Sequence, residues 1–207
     1  DLSPVFAVRG GPDITIKRFR GRSEGGHGLA AAYYLATDHG ITNVAVLEKG
    51  YIGGGGPGRN TAIIRSNYLT SEGIKFYRAS MELFQDLSRK LKFNLFYTER
   101  GHFTLAHSDS AIRTARWRAE VNKHMGVDSE VVGPDFIKNH VPEMDLTCGG
   151  HQAPIQGALF HPPGAIARHD AVAWGYGRGA SQRGVEIHQG VEVTNIQVEN
   201  HRVVGVE

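Results

Sequence analysis

Gly25, Gly26 and Gly28 stand together at the start of a helical stretch, and Glu48 follows about 20 residues later at the end of a short apolar run. Glycines where a strand turns into a helix let backbone approach a pyrophosphate, and the amides and dipole of the helix N-terminus then face the anion. A carboxylate at the end of the next strand accepts hydrogen bonds from a ribose, so the spacing is that of a dinucleotide site. Glutamate there favours an unphosphorylated ribose, as in FAD or NAD. Ser23 takes the place of the first fingerprint glycine. Before it runs Lys17-Arg18-Phe19-Arg20-Gly21-Arg22, which as a buried central strand would bury several unpaired charges. A glycine-rich helix entrance without a ligand has the same two glycines; helix, strand and acid together favour the nucleotide.

A second cluster, Gly53-Gly54-Gly55-Gly56-Pro57-Gly58, leads into Arg59-Asn60-Thr61 and then Ile63-Ile64-Arg65-Ser66-Asn67-Tyr68. A plain nicotinamide enzyme has no evident need of such a loop after the acidic residue. In a flavin enzyme the chain must run along the diphosphate and ring before reaching the substrate, and loop amides donate to the cofactor on the way. Three readings stand at this point. One is a flavoprotein, and a second is a nicotinamide-dependent dehydrogenase using Gly25, Gly28 and Glu48. The third is an inactive fragment that only associates with partner subunits, a reading favoured by the charges at Lys17 to Arg22.

These residues need a scaffold, and hydrophobic periodicity supplies one. Leu29, Ala32, Tyr33 and Ala36 recur at helical spacing and Gly40 sits where a helix stops; Asn43 to Glu48 is apolar on both faces, as a buried parallel strand is. Ser71 to Lys92 reads as a long amphipathic helix with Ile74, Tyr77, Met81, Phe84, Leu87 and Leu91 on one face. Asp109 to Met125 reads as a second, capped by Ser108 and ended by Gly126. Between them, Leu95 to Thr98 and His102 to Ala106 predict a pair of strands around a turn at Arg100-Gly101. Beyond a region interrupted by Pro134, Pro142 and Pro154, a strand is expected over Gly157 to His161, a helix over His169 to Arg183, and three short strands from Val185 to Val206.

Composition narrows the class. The chain has 207 residues, 40% of them hydrophobic, enough for a packed core. With 23 Lys and Arg against 21 Asp and Glu, the net charge of +2 makes no electrostatic case for nucleic acid or membrane as a partner. A single cysteine, Cys148, excludes an internal disulfide framework and fits a reducing compartment, and no apolar run approaches the roughly 20 residues that span a bilayer. A soluble, cytoplasmic protein is expected.

Several stretches resemble the beta subunits of the heterotetrameric sarcosine oxidases. They are Gly25 to Ala36, His39 to Gly50, Gly58-Arg59-Asn60-Thr61 with Ile63 to Leu69, and Ala167-Arg168-His169-Asp170-Ala171-Val172-Ala173-Trp174. The resemblance runs from Gly25 to the last residue and is weakest between Leu69 and Gly164. It implies an α/β fold with an FAD-binding, Rossmann-like parallel sheet. Residues 1–24 form an atypical segment, 25–68 the crossover unit and glycine loop, 69–164 a substrate-side α+β region, and 165–207 a return to the FAD domain, incomplete at both ends.

The resemblance also implies site residues. Gly25, Gly26, Gly28, Glu48 and Lys49 fall where FAD is bound by its pyrophosphate and ribose, and Arg59, Asn60 and Thr61 where the loop follows FAD toward its ring. Val193, in an expected strand Val191-Glu192-Val193, falls where backbone meets the adenine. Arg65 matches an arginine that pairs with the substrate carboxylate, a task suited to a guanidinium fork. His169 matches the histidine that carries a second flavin, FMN, covalently at the interface with a large alpha subunit. The implied chemistry is oxidative demethylation of a small amine acid such as sarcosine, with FAD noncovalent and hydrogen peroxide formed, in a hetero-oligomer. No metal site is expected.

Overall fold

A computed structural model of the chain describes residues 5–8, 16–18, 26–150 and 153–207. In chain order its elements are β1 (Val5–Val8), β2 (Ile16–Arg18), α1 (Gly26–Asp38), β3 (Val44–Glu48), β4 (Ile63–Ile64), α2 (Ser71–Leu91), β5 (Thr98–Glu99), β6 (His102–Ala106), α3 (Asp109–His124), β7 (Glu130–Val132), α4 (Pro134–His140), β8 (Gly157–His161), β9 (Ala165–Ile166), α5 (His169–Ser181), β10 (Glu186–Gln189), β11 (Ile196–Glu199) and β12 (Arg202–Val206), with short 3-10 turns at Gly56–Arg59 and Cys148–Gly150. They fall into two compact units: 1–62, 87–96 and 168–207 in one, 63–86 and 97–167 in the other.

The first unit carries a sheet in the order β10-β3-β1-β2. Val44, Ala45, Val46 and Glu48 of β3 are buried, as expected of a strand covered on both faces, and β10 pairs with β3 in parallel. The expected parallel sheet is present as this pair. β1, however, runs antiparallel to β3, and β2 antiparallel to β1, so the sheet is mixed. Ile16–Arg18 thus forms a strand at the outer position beside β1. Phe19 to Gly25 lie outside the described residues. Helices α1 and α5 pack together, with Leu29 against Gly177 and Tyr33 against Gly179 and Tyr176. A Cβ on Gly179 would lie 2.9 Å from two ring carbons of Tyr33, so glycine is what lets these helices approach. Tyr33, Tyr34 and Tyr176 form a ring cluster with centroids 5.2–6.0 Å apart.

In the second unit the antiparallel sheet β6-β8-β7 is covered on one face by α3 and on the other by α4 and its neighbours. Residues alternate along β8: Ala158 and Phe160 join Val132, Ile137 and Ile155, whereas Leu159 joins Ala115 and Ala119 of α3. Ser108 caps α3 by accepting the Ala111 N–H, and Pro134 opens α4 in the first turn, where its missing donor costs nothing.

Two expectations need correction. β5 and β6 do not pair with each other: β5 joins β9 and β4, and β6 joins β8. The N–H groups of Arg100 and Gly101 both donate to the Gly164 carbonyl, which anchors the turn to the β8–β9 connection instead of closing a hairpin. Val191 to Val193 are not a strand; the Val191 N–H donates to the Glu48 carbonyl at 3.0 Å and the chain leaves the sheet there.

Candidate functional site

In the first unit the apolar strand β3 delivers Glu48 to its end, where the residue is only 8% exposed and Oε1 accepts the Gly50 N–H at 2.8 Å. Two main-chain bonds fasten this strand end to the far part of the chain: Val191 N–H to the Glu48 carbonyl and Gly190 N–H to the Gly50 carbonyl. Helix α1 starts at Gly26, and Gly28 is buried within its first turn. Gly25 lies outside the described residues. The glycine loop approaches this helix start, since a Cβ on Gly26 would meet the Pro57 side chain at 3.4 Å. Within the loop a Cβ on Gly58 would fall 2.1 Å from the Gly53 carbonyl oxygen, a position only glycine can fill.

Arg59, Asn60 and Thr61 are exposed. The Asn60 side chain is occupied in shaping the loop: its amide donates to the Pro57 carbonyl at 3.0 Å, and its oxygen accepts the Ala62 N–H at 2.7 Å, holding Ala62 at a φ of 60°. Lys49 is exposed and paired with Glu192, and Val193 is half-buried. His169 opens α5. It is half-buried, and its Nδ1 is a buried atom without a hydrogen-bond partner. On either side of it the Arg168 guanidinium donates to the Asp170 carboxylate at 2.9 and 3.0 Å, which holds that carboxyl below its usual range.

In the second unit Arg65 follows β4 and is half-buried. It donates to Asn67 Oδ1 at 2.9 Å and lies 4.6 Å from the centroid of the Tyr68 ring, which in turn stacks on Tyr77 at 3.9 Å. Ser66 and Asn67 are buried, and three residues remote in sequence hold this segment. Arg118 on α3 donates from Nε and Nη2 to the Asn67 carbonyl, the former at 2.8 Å; Asn122 donates to the Tyr68 carbonyl at 3.2 Å. Below them lies His161, fully buried, with Nδ1 2.6 Å from the Asp128 carbonyl oxygen and Nε2 3.4 Å from the Ser66 N–H donor and from Ser66 Oγ.

The cluster is electropositive. Burial and then the Arg65 charge lower the pKa of Arg118. Burial, followed by Arg65, His161 and Arg118, brings His102 down to about 4, and its Nδ1 is buried without a partner. Burial also lowers His161, against an upward pull from Asp128. Among the described residues no carboxylate forms an ion pair with Arg65 or Arg118. Such a group has the donors and the charge to receive an anion. An open cavity of about 300 Å³ between α3 and β6 has Arg118 as the one ionisable side chain among its lining residues, and so offers no acid or base for catalysis.

Sequence reasoning singled out Arg65 but passed over His102, Arg118 and His161. A histidine ending the apolar run Gly157 to Phe160 was the available signal for the last; Arg118 shows only as one more polar residue on a helix.

Residues 24–207 match the model of a family described as FAD-dependent oxidoreductases. The chain belongs to that family. The nicotinamide alternative is thereby set aside. The resemblance seen in the sequence is borne out: over 183 residues, 88% of the chain, it is 50% identical to the sarcosine oxidase subunit beta of Rhizobium meliloti and 44% identical to that of an Arthrobacter species. The chain spans less than half the length of these relatives, 44% and 45%. The FAD-dependent oxidoreductase fold also recurs in an L-proline dehydrogenase from P. horikoshii, with a TM-score of 0.75 at 23% identity over 88% of this chain and 46% of that one. A glycine oxidase from Bacillus cereus gives 0.75 at 22% identity over 88% and 48%.

Proposed function

We propose that the whole protein is the flavin-bearing subunit of a hetero-oligomeric amine oxidase that demethylates sarcosine or a similar small secondary amine acid to the primary amine. The observation that carries the reading is Arg65: a half-buried guanidinium without a carboxylate partner among the described residues, in a chain 44–50% identical to sarcosine oxidase beta subunits. A carboxylate of the substrate would complete its fork. The electropositive surroundings, in which burial and then the Arg65 charge lower the pKa of Arg118, favour an anionic substrate over a neutral amine.

The residues present fit FAD at the β3 end. A buried carboxylate at Glu48, a helix start at Gly26 and Gly28, and a glycine loop held close to that start are what a ribose and a pyrophosphate require. Lys49, Arg59, Asn60, Thr61 and Val193 would line the cofactor further along, with Gly25 beside the pyrophosphate. His169 fits a covalent FMN. Its Nδ1 has no partner, it stands at the N-terminal, positive end of α5, and a neutral imidazole is the nucleophile that an activated flavin methyl group needs. When bound, FAD supplies hydride acceptance from the N-methyl carbon to give an imine, and FMN supplies transfer of the electrons to oxygen with formation of hydrogen peroxide. Arg65 holds and orients the carboxylate while this takes place, and residues 69–164 form the substrate side. The large alpha subunit would close the FMN pocket, of which this chain provides one wall.

No helix among the described residues is long and apolar enough to cross a membrane, and a cytoplasmic location accords with the single cysteine. The test is an absorption spectrum of the full beta subunit made together with its alpha partner, before and after acid precipitation. One flavin should stay with the precipitate and one should be released. A colourless protein would overturn the flavoprotein reading, and flavin released entirely would overturn the FMN assignment while leaving the FAD site standing.

A further inference from the structure

His161 is the last residue of the apolar strand β8, fully buried, and nothing in the proposed reaction uses it. Its hydrogen bonds fix its chemical form. The atom 2.6 Å from Nδ1 is the Asp128 carbonyl oxygen, which can only accept, so Nδ1 carries the proton. Nε2 faces the Ser66 main-chain N–H, which can only donate, so Nε2 presents its lone pair. The neutral Nδ1–H tautomer satisfies both; in the imidazolium Nε2–H can turn only to the Ser66 hydroxyl, also 3.4 Å away, and the Ser66 main-chain N–H loses its acceptor. Ser66 is the residue next to Arg65, and the other anchors of this segment, Arg118 and Asn122, hold the carbonyls of Asn67 and Tyr68. The Ser66 N–H has this imidazole as its partner.

We propose that His161 is a positioning residue for the substrate carboxylate: its neutral ring holds the Ser66 main chain, and through it the Arg65 guanidinium, and a second proton on the ring releases both. The proposal rests on the reading of Arg65 given above. The charged and titratable groups around the ring all bear on its protonation. Arg65 on the segment after β4, Arg118 on α3 and His102 on β6 oppose a further positive charge, while Asp128 before β7 favours it. With burial the leading influence, the neutral form is held to a lower pH than in an ordinary histidine. Carboxylate binding is therefore present at neutral pH and lost as the pH falls through the His161 transition.

The test uses the full chain loaded with FAD and reads the dissociation constant of pyrrole-2-carboxylate, which has no amine C–H to oxidise, by the change in flavin absorbance between pH 5 and 8. The protein as it stands should lose affinity toward the acid end by more than about threefold. His161→Gln keeps an acceptor for the Ser66 N–H but cannot titrate, so it should bind within about threefold of the parent at pH 8 and lose the acid fall. His161→Leu removes the acceptor and should bind about tenfold more weakly at every pH. An acid fall that persists unchanged in His161→Gln overturns the proposal, as does parental affinity in a folded His161→Leu; if His161→Leu does not fold, the pH profile of His161→Gln decides. Arg65→Lys separates the two levels of the argument. If it weakens binding while the His161 variants do not, only the role of His161 falls; if it too leaves binding unchanged, the carboxylate reading of Arg65 falls first.

Discussion

Replacing Glu48 by alanine tests the proposed ribose contact, with a melt of the flavin-free protein to read what the residue contributes to the fold. The carboxylate is 8% exposed and spends one oxygen on the Gly50 N–H at 2.8 Å. Gly50 itself is exposed, so once the carboxylate is gone its N–H turns to water. A ribose hydroxyl deprived of the same acceptor would remain in a buried pocket, and a hydrogen bond to a charged group contributes about 1.5–3 kcal/mol. At 1.36 kcal/mol per decade this is roughly a 10- to 150-fold rise in the dissociation constant of FAD. The assay is titration of the flavin-free full chain with FAD, followed by quenching of flavin fluorescence, beside a thermal melt of the flavin-free protein. The reasoning is refuted if affinity changes by less than about threefold, or if the flavin-free melt drops as much as the flavin-loaded one, because the residue would then be supporting the fold and not the cofactor.

Arg65→Lys in the flavin-loaded full chain should raise KM for sarcosine by roughly tenfold with a smaller change in kcat, since an ammonium cannot reproduce the planar fork; equal KM values would take Arg65 out of the site. His169→Ala should leave noncovalent FAD in place and remove covalent FMN from the corresponding peptide of the assembly made with the alpha partner, as read by mass spectrometry; flavin on another peptide would move the anchor elsewhere. His102 links stability to acidity. Its pKa is depressed from 6.5 to about 4, first by burial and then by Arg65, His161 and Arg118, so the unfolded chain takes up its proton first on acidification. Its contribution to stability is full above pH 6.5, declines between there and about 4, and is gone below. His102→Asn should flatten the fall in denaturant midpoint over that window, and an unaltered slope would rule the linkage out.

The parts of the fold legible in the sequence were those decided by local rules. Ser108 and Gly126 bracketed α3 because capping and helix termination are matters of a few adjacent residues, and β3 declared itself by being apolar on both faces. Pairing was not local. His102 to Ala106 has the alternation of a strand, yet nothing in it says that its partner is Gly157 to His161 rather than the neighbouring Thr98–Glu99; the carbonyl of Gly164 makes that choice. Pro134 looked like an interruption because a proline marks a helix start as readily as a break, and only the following turn distinguishes them. In the candidate site Arg65 stood out through its glycine-rich approach. The groups that fix its segment come from α3 and β8, and no spacing rule joins Ser66 to His161 or Asn67 to Arg118.

The parallel pairing of Glu186 with Ala45 has a consequence for how the chain is made. The contacts that define the second unit lie between residues 63 and 167, so all of them exist on a ribosome before α5 has emerged. The first unit is drawn from three separated stretches and completes its sheet only when β10 arrives to meet β3. Until then β3 has β1 as its partner on one side, with β2 beyond it, and an open edge on the other, the kind of edge that recruits a second chain. Production of this protein should therefore be limited by the wait for residue 186 and beyond, and shortening the chain before β10 should yield aggregates in which the second unit is nonetheless folded.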